Sequence, residues 1–151
     1  MDETPVVGKQ GHRSLREHEW IEEQVQIMLQ NRVIEESSSL YTFNVVVVGK
    51  KDGAGEGMDR LCINYAPLNK CTISDRYPLP NINEMLSSFW GSKWFTVIDL
   101  ASAYWQIQLR KKDRPKTAFL IRNGQYQFKV MPFGLNNALA TFQRLMNKVL
   151  R

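Results

Sequence analysis

The strongest constraint on the fold is a pair of strand-like runs that flank a glycine-rich loop. Residues 43–48 are dominated by valines, whose β-branched side chains favour extended backbone. Residues 51–57 contain three glycines and form turns readily, and residues 60–65 again alternate apolar and polar side chains. This order predicts an antiparallel hairpin, so part of the chain is expected to fold as a β-sheet.

Helical patterns occur on either side of this hairpin. Ser14 and Glu17 have the spacing of a capping box, which predicts that a helix begins after a loose tail over residues 1–13. Apolar residues then recur as on one face of a helix: Ile21, Val25, Met28 and Leu29. Asn81 can cap a second, short helix, and Gly91 can end it.

The remaining pattern is mostly extended. Three stretches are expected to be strand-like: residues 93–100, 106–109 and 117–122. Asn123-Gly124 predicts a tight hairpin turn before residues 125–130. Residues 35–39 are polar and suggest a connector, and a last helix is expected after Asn137. Together these elements predict the α+β class.

Charge is distributed unevenly along the chain. Residues 1–75 hold 8 Lys and Arg against 12 Asp and Glu, a net charge of −4, whereas residues 76–151 hold 12 against 3, a net charge of +9. A basic cluster contributes to the second half: Arg110, Lys111, Lys112, Arg114 and Lys116. A polyanion would therefore meet mainly this half. On charge alone, a solvated basic face without a partner is the alternative.

Two features bear on the cellular setting. No apolar run approaches the ~20 residues that cross a bilayer, and the first residues lack the apolar core of a signal peptide. Cys62 and Cys71 match no common zinc spacing, which favours two reduced thiols. We therefore expect an intracellular protein, cytoplasmic or nuclear, without a membrane partner.

Asp99 is the residue that packing explains least well. It follows the apolar and aromatic run Trp94 to Ile98. A carboxylate at the end of a buried strand must be paired, hydrated or bound to a cation. Taken by itself, the pattern favours an Asp that begins a turn.

The surroundings of Asp99 change that interpretation. Residues Phe95 to Ile107 resemble the first catalytic motif of gypsy-type LTR-retrotransposon reverse transcriptases. Four further blocks match the same family in order: 48–53; 60–65 with 68–70; 75–80; and 116–119 with 130–135, running into 141–143. The resemblance covers roughly residues 15–151.

The resemblance implies a right-hand polymerase fold with fingers and a partial palm. The fingers would span about residues 14–80 and the palm about residues 81–151, with a fingers insertion at about residues 106–132. The palm would consist of an incomplete antiparallel sheet with packed helices.

The resemblance also assigns catalytic and nucleotide-binding roles. Asp99 would be catalytic and, with the backbone carbonyl of Leu100, would bind Mg²⁺, of which the complete enzyme uses two. Lys50 and Arg60 would hold the triphosphate of an incoming dNTP. Tyr104 would lie under the sugar and Phe133 would line the pocket. Without the resemblance, Lys50 and Arg60 would be ordinary exposed cations, and Tyr104 a core aromatic residue.

A third set of residues is expected beside the RNA or DNA template–primer. Its members are Pro132, Gly134 and Leu135, together with Arg110, Lys111 and Lys112. Residues 64–70 and 77–80 are expected to be scaffold.

The chain departs from the family pattern in ways that affect activity. The second metal-binding motif, which ends in two adjacent aspartates, is absent, and the acids of residues 76–151 are Glu84, Asp99 and Asp113. Leu139 stands where the family usually has proline. We therefore expect a truncated fragment, from an incomplete gene model or a decayed element, that is inactive alone.

Three functional hypotheses follow. The first is a fragment of an RNA-directed DNA polymerase that lacks part of its metal site. The second is a non-catalytic nucleic-acid-binding remnant of a decayed retroelement. The third is a remnant made unstable by an exposed palm edge. The sequence leaves the oligomeric state open.

Overall fold

A computed structural model of the chain describes Val7 and residues 13–49 and 58–150. The described strands form one mixed sheet in the order β1-β5-β4-β2-β3, with β2 and β4 parallel and the other pairs antiparallel. The strands are β1 (Ile34–Glu36), β2 (Phe43–Gly49), β3 (Met58–Ile63), β4 (Phe119–Ile121) and β5 (Gly124–Phe128). The helices are α1 (Leu15–Gln30), α2 (Ala66–Cys71), α3 (Ile82–Ser88) and α4 (Ala138–Val149), with 3₁₀ helices at Ala103–Gln106 and Arg114–Thr117.

Helix α1 begins where the capping box predicts. The Ser14 hydroxyl accepts a hydrogen bond from the Glu17 backbone N–H, and the Glu17 carboxylate accepts one from the Ser14 backbone N–H at 2.7 Å. The apolar face of α1 then buries Ile21, Val25 and Met28 in the protein core. Both local predictions for this helix are confirmed.

The core lies between α1 and the sheet, and aromatic side chains fill its centre. Phe43 and Phe119 are both 0% exposed, and the Tyr65 ring meets the edge of the Phe43 ring with 5.2 Å between centroids. The buried Tyr65 hydroxyl donates a hydrogen bond of 2.9 Å to the Thr117 carbonyl. This bond satisfies the polar end of a side chain that is otherwise packed among apolar groups.

The prediction of a polar connector over residues 35–39 was partly wrong, because its first residues form β1. Ile34 lies opposite Phe128 of β5 and is buried. Glu35 receives hydrogen bonds from Arg114 at 3.3 Å and Gln127 at 2.9 Å. Burial alone would raise the pKa of Glu35, but these hydrogen bonds, together with the positive charges of Arg114 and Lys129, lower the pKa below its ordinary value. Both partners are distant in sequence, so no local pattern shows them.

The β4–β5 hairpin forms as predicted, but its turn is shifted by one residue. Ile121 pairs with Gly124, so Arg122 and Asn123 occupy the turn. Asn123 and Gly124 both lack the positive φ that a type I′ turn requires. A Cβ at Gly124 would lie 3.3 Å from the Tyr126 ring. The glycine therefore makes room for Tyr126 instead of forming the turn.

Residues 93–100 were predicted to form a strand and do not. They have no regular secondary structure, and Trp94 and Val97 are each 92% exposed. An apolar and β-branched run becomes a strand only when another strand pairs with its backbone N–H and C=O groups. Every strand in the described part of the chain belongs to the sheet, which does not include this run.

Residues 106–109, predicted to be strand-like, do not form a regular strand: Gln106 ends the first 3₁₀ helix and Ile107 has an extended backbone. Gln108 forms an isolated bridge with Val130. Helix α3 is capped by Asn81 as predicted but ends at Ser88, before Gly91. Cys62 and Cys71 are free thiols.

Candidate nucleotide and nucleic-acid site

Asp99 lies in an exposed stretch that leads into a tight turn. Ser102 has a φ of 48° and a ψ of 46°, in the left-handed region that non-glycine residues rarely adopt. The turn is closed by hydrogen bonds from the Trp105 N–H to the Ser102 carbonyl at 2.8 Å and from the Gln106 amide to the Ala101 carbonyl at 2.9 Å. The backbone thus reverses just after Leu100, which is half-buried.

The 3₁₀ helix after this turn contributes two aromatic residues to a cluster. The Tyr104 ring meets the Phe133 ring edge-on, with 5.2 Å between centroids, and contacts Phe142 of α4 at 5.6 Å. Trp105 lies 6.3 Å from Phe133. Tyr104 and Phe133, which the sequence placed at one nucleotide pocket, are therefore in contact. Phe133 remains 50% exposed, so one side of the cluster is open to a ligand.

The loop that carries Phe133 has a fixed backbone. Pro132 is fully buried on one side of Phe133, and Gly134 on the other has a φ of +88°, which favours glycine. The Asn69 side chain donates to the Gly134 carbonyl at 2.7 Å and accepts from the Asn136 N–H at 2.9 Å. Leu135 packs against the core. Asn69 was predicted to be scaffold, and the sequence contains no sign of its contact with this loop.

The predicted cations have different settings. Arg60 is exposed on β3, opposite Val48, and Lys50 lies outside the described residues. Arg110, Lys111 and Lys112 are exposed in the turn before the second 3₁₀ helix. Two other members of the basic cluster have ion pairs: Arg114 with Glu35 at 3.3 Å, and Lys116 with Asp113 at 3.1 Å. The three exposed cations are therefore best suited to contact a polyanion.

A cavity of about 510 Å³ lies beside the Phe133 loop. Its walls come from α2, residues 107–110 and the segment between Met131 and Thr141. Leu68, Ile107 and Leu135 line it with apolar surface, and Asn69 and Arg110 contribute polar groups.

Known proteins resemble both the sequence and the fold. Residues 48–151 match the family described as reverse transcriptase (RNA-dependent DNA polymerase). The chain belongs to the reverse transcriptase family. It is 44% identical over 149 residues to the retrovirus-related Pol polyprotein from transposon 297 of Drosophila melanogaster, covering 98% of this chain and 14% of that protein. It is 39% identical over 153 residues to the Pol polyprotein from transposon gypsy of the same organism, covering 100% of this chain and 15% of that protein.

The fold comparison agrees with this assignment. A foamy viral protease–reverse transcriptase, solved in complex with double-stranded DNA, superposes with a TM-score of 0.76 at 18% identity. The match covers 98% of this chain and 26% of the viral chain. The resemblance to gypsy-type reverse transcriptases and the α+β fingers-and-palm fold are thereby confirmed. The chain spans only a small part of the Pol polyproteins that it matches.

Reverse transcriptases generally depend on divalent metals, and the described residues fit that requirement only in part. The Asp99 carboxylate and the Leu100 carbonyl are oxygen ligands of the kind that Mg²⁺ prefers. However, no group of three or more His, Cys, Asp or Glu side chains that could hold a metal occurs in the described part of this reverse transcriptase chain. A two-metal site is therefore not assembled by these residues.

The reverse transcriptase chain also has a polar junction between residues 73–77 and α4. Arg144 forms an ion pair of 2.8 Å with Asp75, and its guanidinium lies 4.6 Å above the centre of the Tyr77 ring. Asn147 donates a hydrogen bond of 2.9 Å to the Tyr77 hydroxyl.

In the described residues, no helix is both long and apolar enough to cross a membrane.

Proposed function

We propose that this chain supplies the fingers and the first part of the palm of an RNA-directed DNA polymerase. The fingers would span about residues 14–80 and the palm about residues 81–151, with a fingers insertion at about residues 106–132. The observation that carries the proposal is the contact between Tyr104 and Phe133, whose rings lie 5.2 Å apart just after the Asp99 turn. One face of this contact is open, as a site for a nucleotide requires.

In this proposal the residues around Asp99 bind and orient a dNTP. Lys50 and Arg60 would neutralise the triphosphate, Tyr104 would meet the sugar, and Phe133 would line the pocket. Bound Mg²⁺ would stabilise the charge that develops on the attacking and leaving oxygens during nucleotidyl transfer. On this chain, Asp99 and the carbonyl of Leu100 would hold it.

The template–primer would run along the loop of residues 132–135 and the cations at 110–112. Pro132, Gly134 and Leu135 would support the templating strand, because this loop is attached to the protein by the buried Pro132 and by the hydrogen bonds from Asn69. Arg110, Lys111 and Lys112 are exposed and would contact phosphates. The foamy viral relative, solved with double-stranded DNA, supports a nucleic-acid partner for this fold.

The binding part of the proposal can be tested with a labelled primer–template. Fluorescence anisotropy between about 50 and 200 mM salt should give an affinity that falls steeply with salt. Arg110→Gln should reduce the slope of log affinity against log salt by about 1. Arg32→Gln is the matched control, because Arg32 is an exposed arginine in the acidic half, and it should leave the slope unchanged. Absence of binding at about 50 mM salt would contradict the proposed binding of a primer–template.

The catalytic part is tested by primer extension with Mg²⁺ and dNTPs. We propose that the chain alone extends no primer, since one aspartate cannot place two metal ions. Extension that disappears in Asp99→Asn would contradict this. The second candidate function is a non-catalytic nucleic-acid-binding remnant, which the exposed cations at 110–112 favour. Salt-dependent binding without dNTP binding would support that candidate over the first.

A further inference from the structure

The Asn69 side chain forms a two-point contact with the loop that carries Phe133. Its amide N–H donates to the Gly134 carbonyl at 2.7 Å, and its amide oxygen accepts from the Asn136 N–H at 2.9 Å. These partners lie 65 and 67 residues away in sequence. A side-chain amide has the donor and acceptor of a peptide group, so Asn69 bonds to the loop as a neighbouring strand would.

Burial does not explain the position of this part of the loop. Gly134 and Asn136 are exposed, and Asn69 is half-buried. A Cβ added at Gly134 would meet nothing closer than 3.6 Å. Residue 134 itself has little apolar packing, so the hydrogen bonds from Asn69 restrain the backbone between Phe133 and Leu135, which packs against the core.

The side chains of the neighbouring Asn136 and Asn137 bind a different segment. The Asn137 amide donates to the Ile73 carbonyl at 2.8 Å and accepts from the Asp75 N–H at 2.9 Å. The Asn136 side chain donates to the Ser74 hydroxyl at 2.9 Å. These bonds attach the start of α4 to residues 73–75. Among the hydrogen bonds of the described residues, the one from Asn69 reaches Gly134, which directly follows Phe133.

We propose that Asn69 is a positioning residue that sets the Phe133 ring against Tyr104. Phe133 is held from one side by the buried Pro132 and from the other by Gly134, whose carbonyl Asn69 binds. Its ring is otherwise half exposed and could turn away from Tyr104. The consequence for dNTP binding rests on the proposed function, whereas the coupling of Asn69 to Phe133 does not.

The coupling can be measured by NMR on the whole chain. Asn69→Ala should speed hydrogen exchange of the Asn136 amide by about 5- to 10-fold, because that amide loses its acceptor. It should also shift the Phe133 ring protons, which sense the Tyr104 ring. Asn69→Asp keeps the acceptor but loses the donor, so it should shift Gly134 and Phe133 while Asn136 exchange stays within about twofold of wild type.

Asn64 provides a matched control near the start of the same helix. Its side-chain oxygen accepts from the Ala66 N–H at 3.1 Å, and among the described residues this side chain forms no hydrogen bond with the Phe133 loop. Asn64→Ala and Asn64→Asp should leave the Phe133, Gly134 and Asn136 signals unchanged. Equal changes from the Asn64 and Asn69 variants, or unchanged Phe133 protons in both Asn69 variants, would overturn the coupling. If Asn69→Ala fails to fold, Asn69→Asp still decides between these outcomes.

Addition of dGTP and Mg²⁺ separates the coupling from the proposed function. If the pocket binds dNTPs, the Phe133 protons of the wild-type chain should shift on titration, and Asn69→Ala should raise the apparent Kd several-fold while Asn64→Ala should not. A wild-type chain that shows no shift would overturn the nucleotide role of the pocket, yet the exchange data would still test Asn69. Binding that is equal in wild type and Asn69→Ala would overturn the effect of Asn69 on the ligand.

Discussion

The sheet and the stretch that leads to Asp99 are both rich in apolar residues, yet only the sheet buries them. Phe43 and Phe119 are 0% exposed, whereas Trp90 is 94% exposed and Trp94 is 92% exposed. Hydrophobicity is similar in the two regions, so it cannot account for the difference. The sheet strands have hydrogen-bonded neighbours and a covering helix. The Asp99 stretch, residues 89–100, pairs with none of the described strands, and its Phe95 ring packs only on the half-exposed Phe89 ring among the described aromatic residues.

This difference indicates that a strand-like sequence forms a strand only when a neighbouring strand pairs with it. Residues 93–100 have the composition of a strand, but an unpaired strand leaves its backbone groups without bonds. Exposed apolar patches of this kind are typical of surfaces that dock onto another element. The stretch therefore resembles a strand without a pairing partner, whereas the strands of the sheet are paired and packed in the protein core.

The largest effect should come from a matched pair of phenylalanine truncations. Phe119→Ala removes a fully buried ring and should lower the free energy of unfolding by about 3–5 kcal/mol. Phe95→Ala removes a ring that is 63% exposed, and it should change this free energy by no more than about 0.5 kcal/mol. Urea denaturation followed by circular dichroism measures both.

Similar losses of unfolding free energy in the two variants would contradict the contrast between the packed sheet and the exposed residues 89–100. They would mean that residues 89–100 are packed in solution, either against another part of the chain or against a second molecule. If the stability loss of Phe95→Ala depends on protein concentration, these residues pack against a second molecule.

The same comparison explains how much of the fold could be predicted. Helix α1 was predicted correctly because its capping box and apolar stripe are local. The failures at β1 and at residues 93–100 concern pairing, which depends on distant residues. Glu35 lies in a strand because β1 pairs with β5, where Glu35 is opposite Gln127. Arg114 and Gln127 then bind its carboxylate, and none of these distant partners can be read from residues 35–39.

The candidate site shows the same division. The sequence placed Tyr104 and Phe133 at one pocket through a family resemblance, and the structure brings them into contact. Asn69 could not be recognised as a contact of the Phe133 loop, because an asparagine at the end of a short helix has many roles. Its position opposite Gly134 exists only after the chain has folded.

A medium effect is expected at Tyr65, where the buried core contains one polar bond. Tyr65→Phe removes the hydrogen bond to Thr117 and should cost about 1–1.5 kcal/mol at pH 7. Burial also raises the pKa of Tyr65 well above its ordinary value. Above about pH 10 the unfolded tyrosine ionises while the folded one stays protonated, so the wild-type protein loses stability as pH rises.

Tyr65→Phe lacks this ionisation, so its deficit relative to wild type should shrink between pH 7 and pH 11. Urea midpoints at the two pH values give the comparison. If the stability deficit of Tyr65→Phe stays constant or grows, the Tyr65 hydroxyl is not buried in the folded state. The aromatic centre of the core would then be less tightly packed than the structure shows.

The smallest effect is expected in α4, which contacts Tyr104 in the half of the molecule that carries Asp99. Leu139 is the second residue of α4, where a backbone N–H has no partner within the helix. Leu139→Pro should therefore leave the free energy of unfolding unchanged or raise it by up to about 0.5 kcal/mol. Pro67 already follows Ala66 at the same position of α2, so the chain tolerates this arrangement elsewhere.

Leu145→Pro is the control in the interior of α4, and it should cost about 3 kcal/mol or more, because proline there removes a hydrogen bond and clashes with the preceding turn. Thermal unfolding of both variants tests whether α4 is a well-formed helix throughout. If the two substitutions cost the same small amount, α4 frays along its whole length. Its contact with Tyr104 would then belong with the loosely held Asp99 stretch and not with the packed sheet.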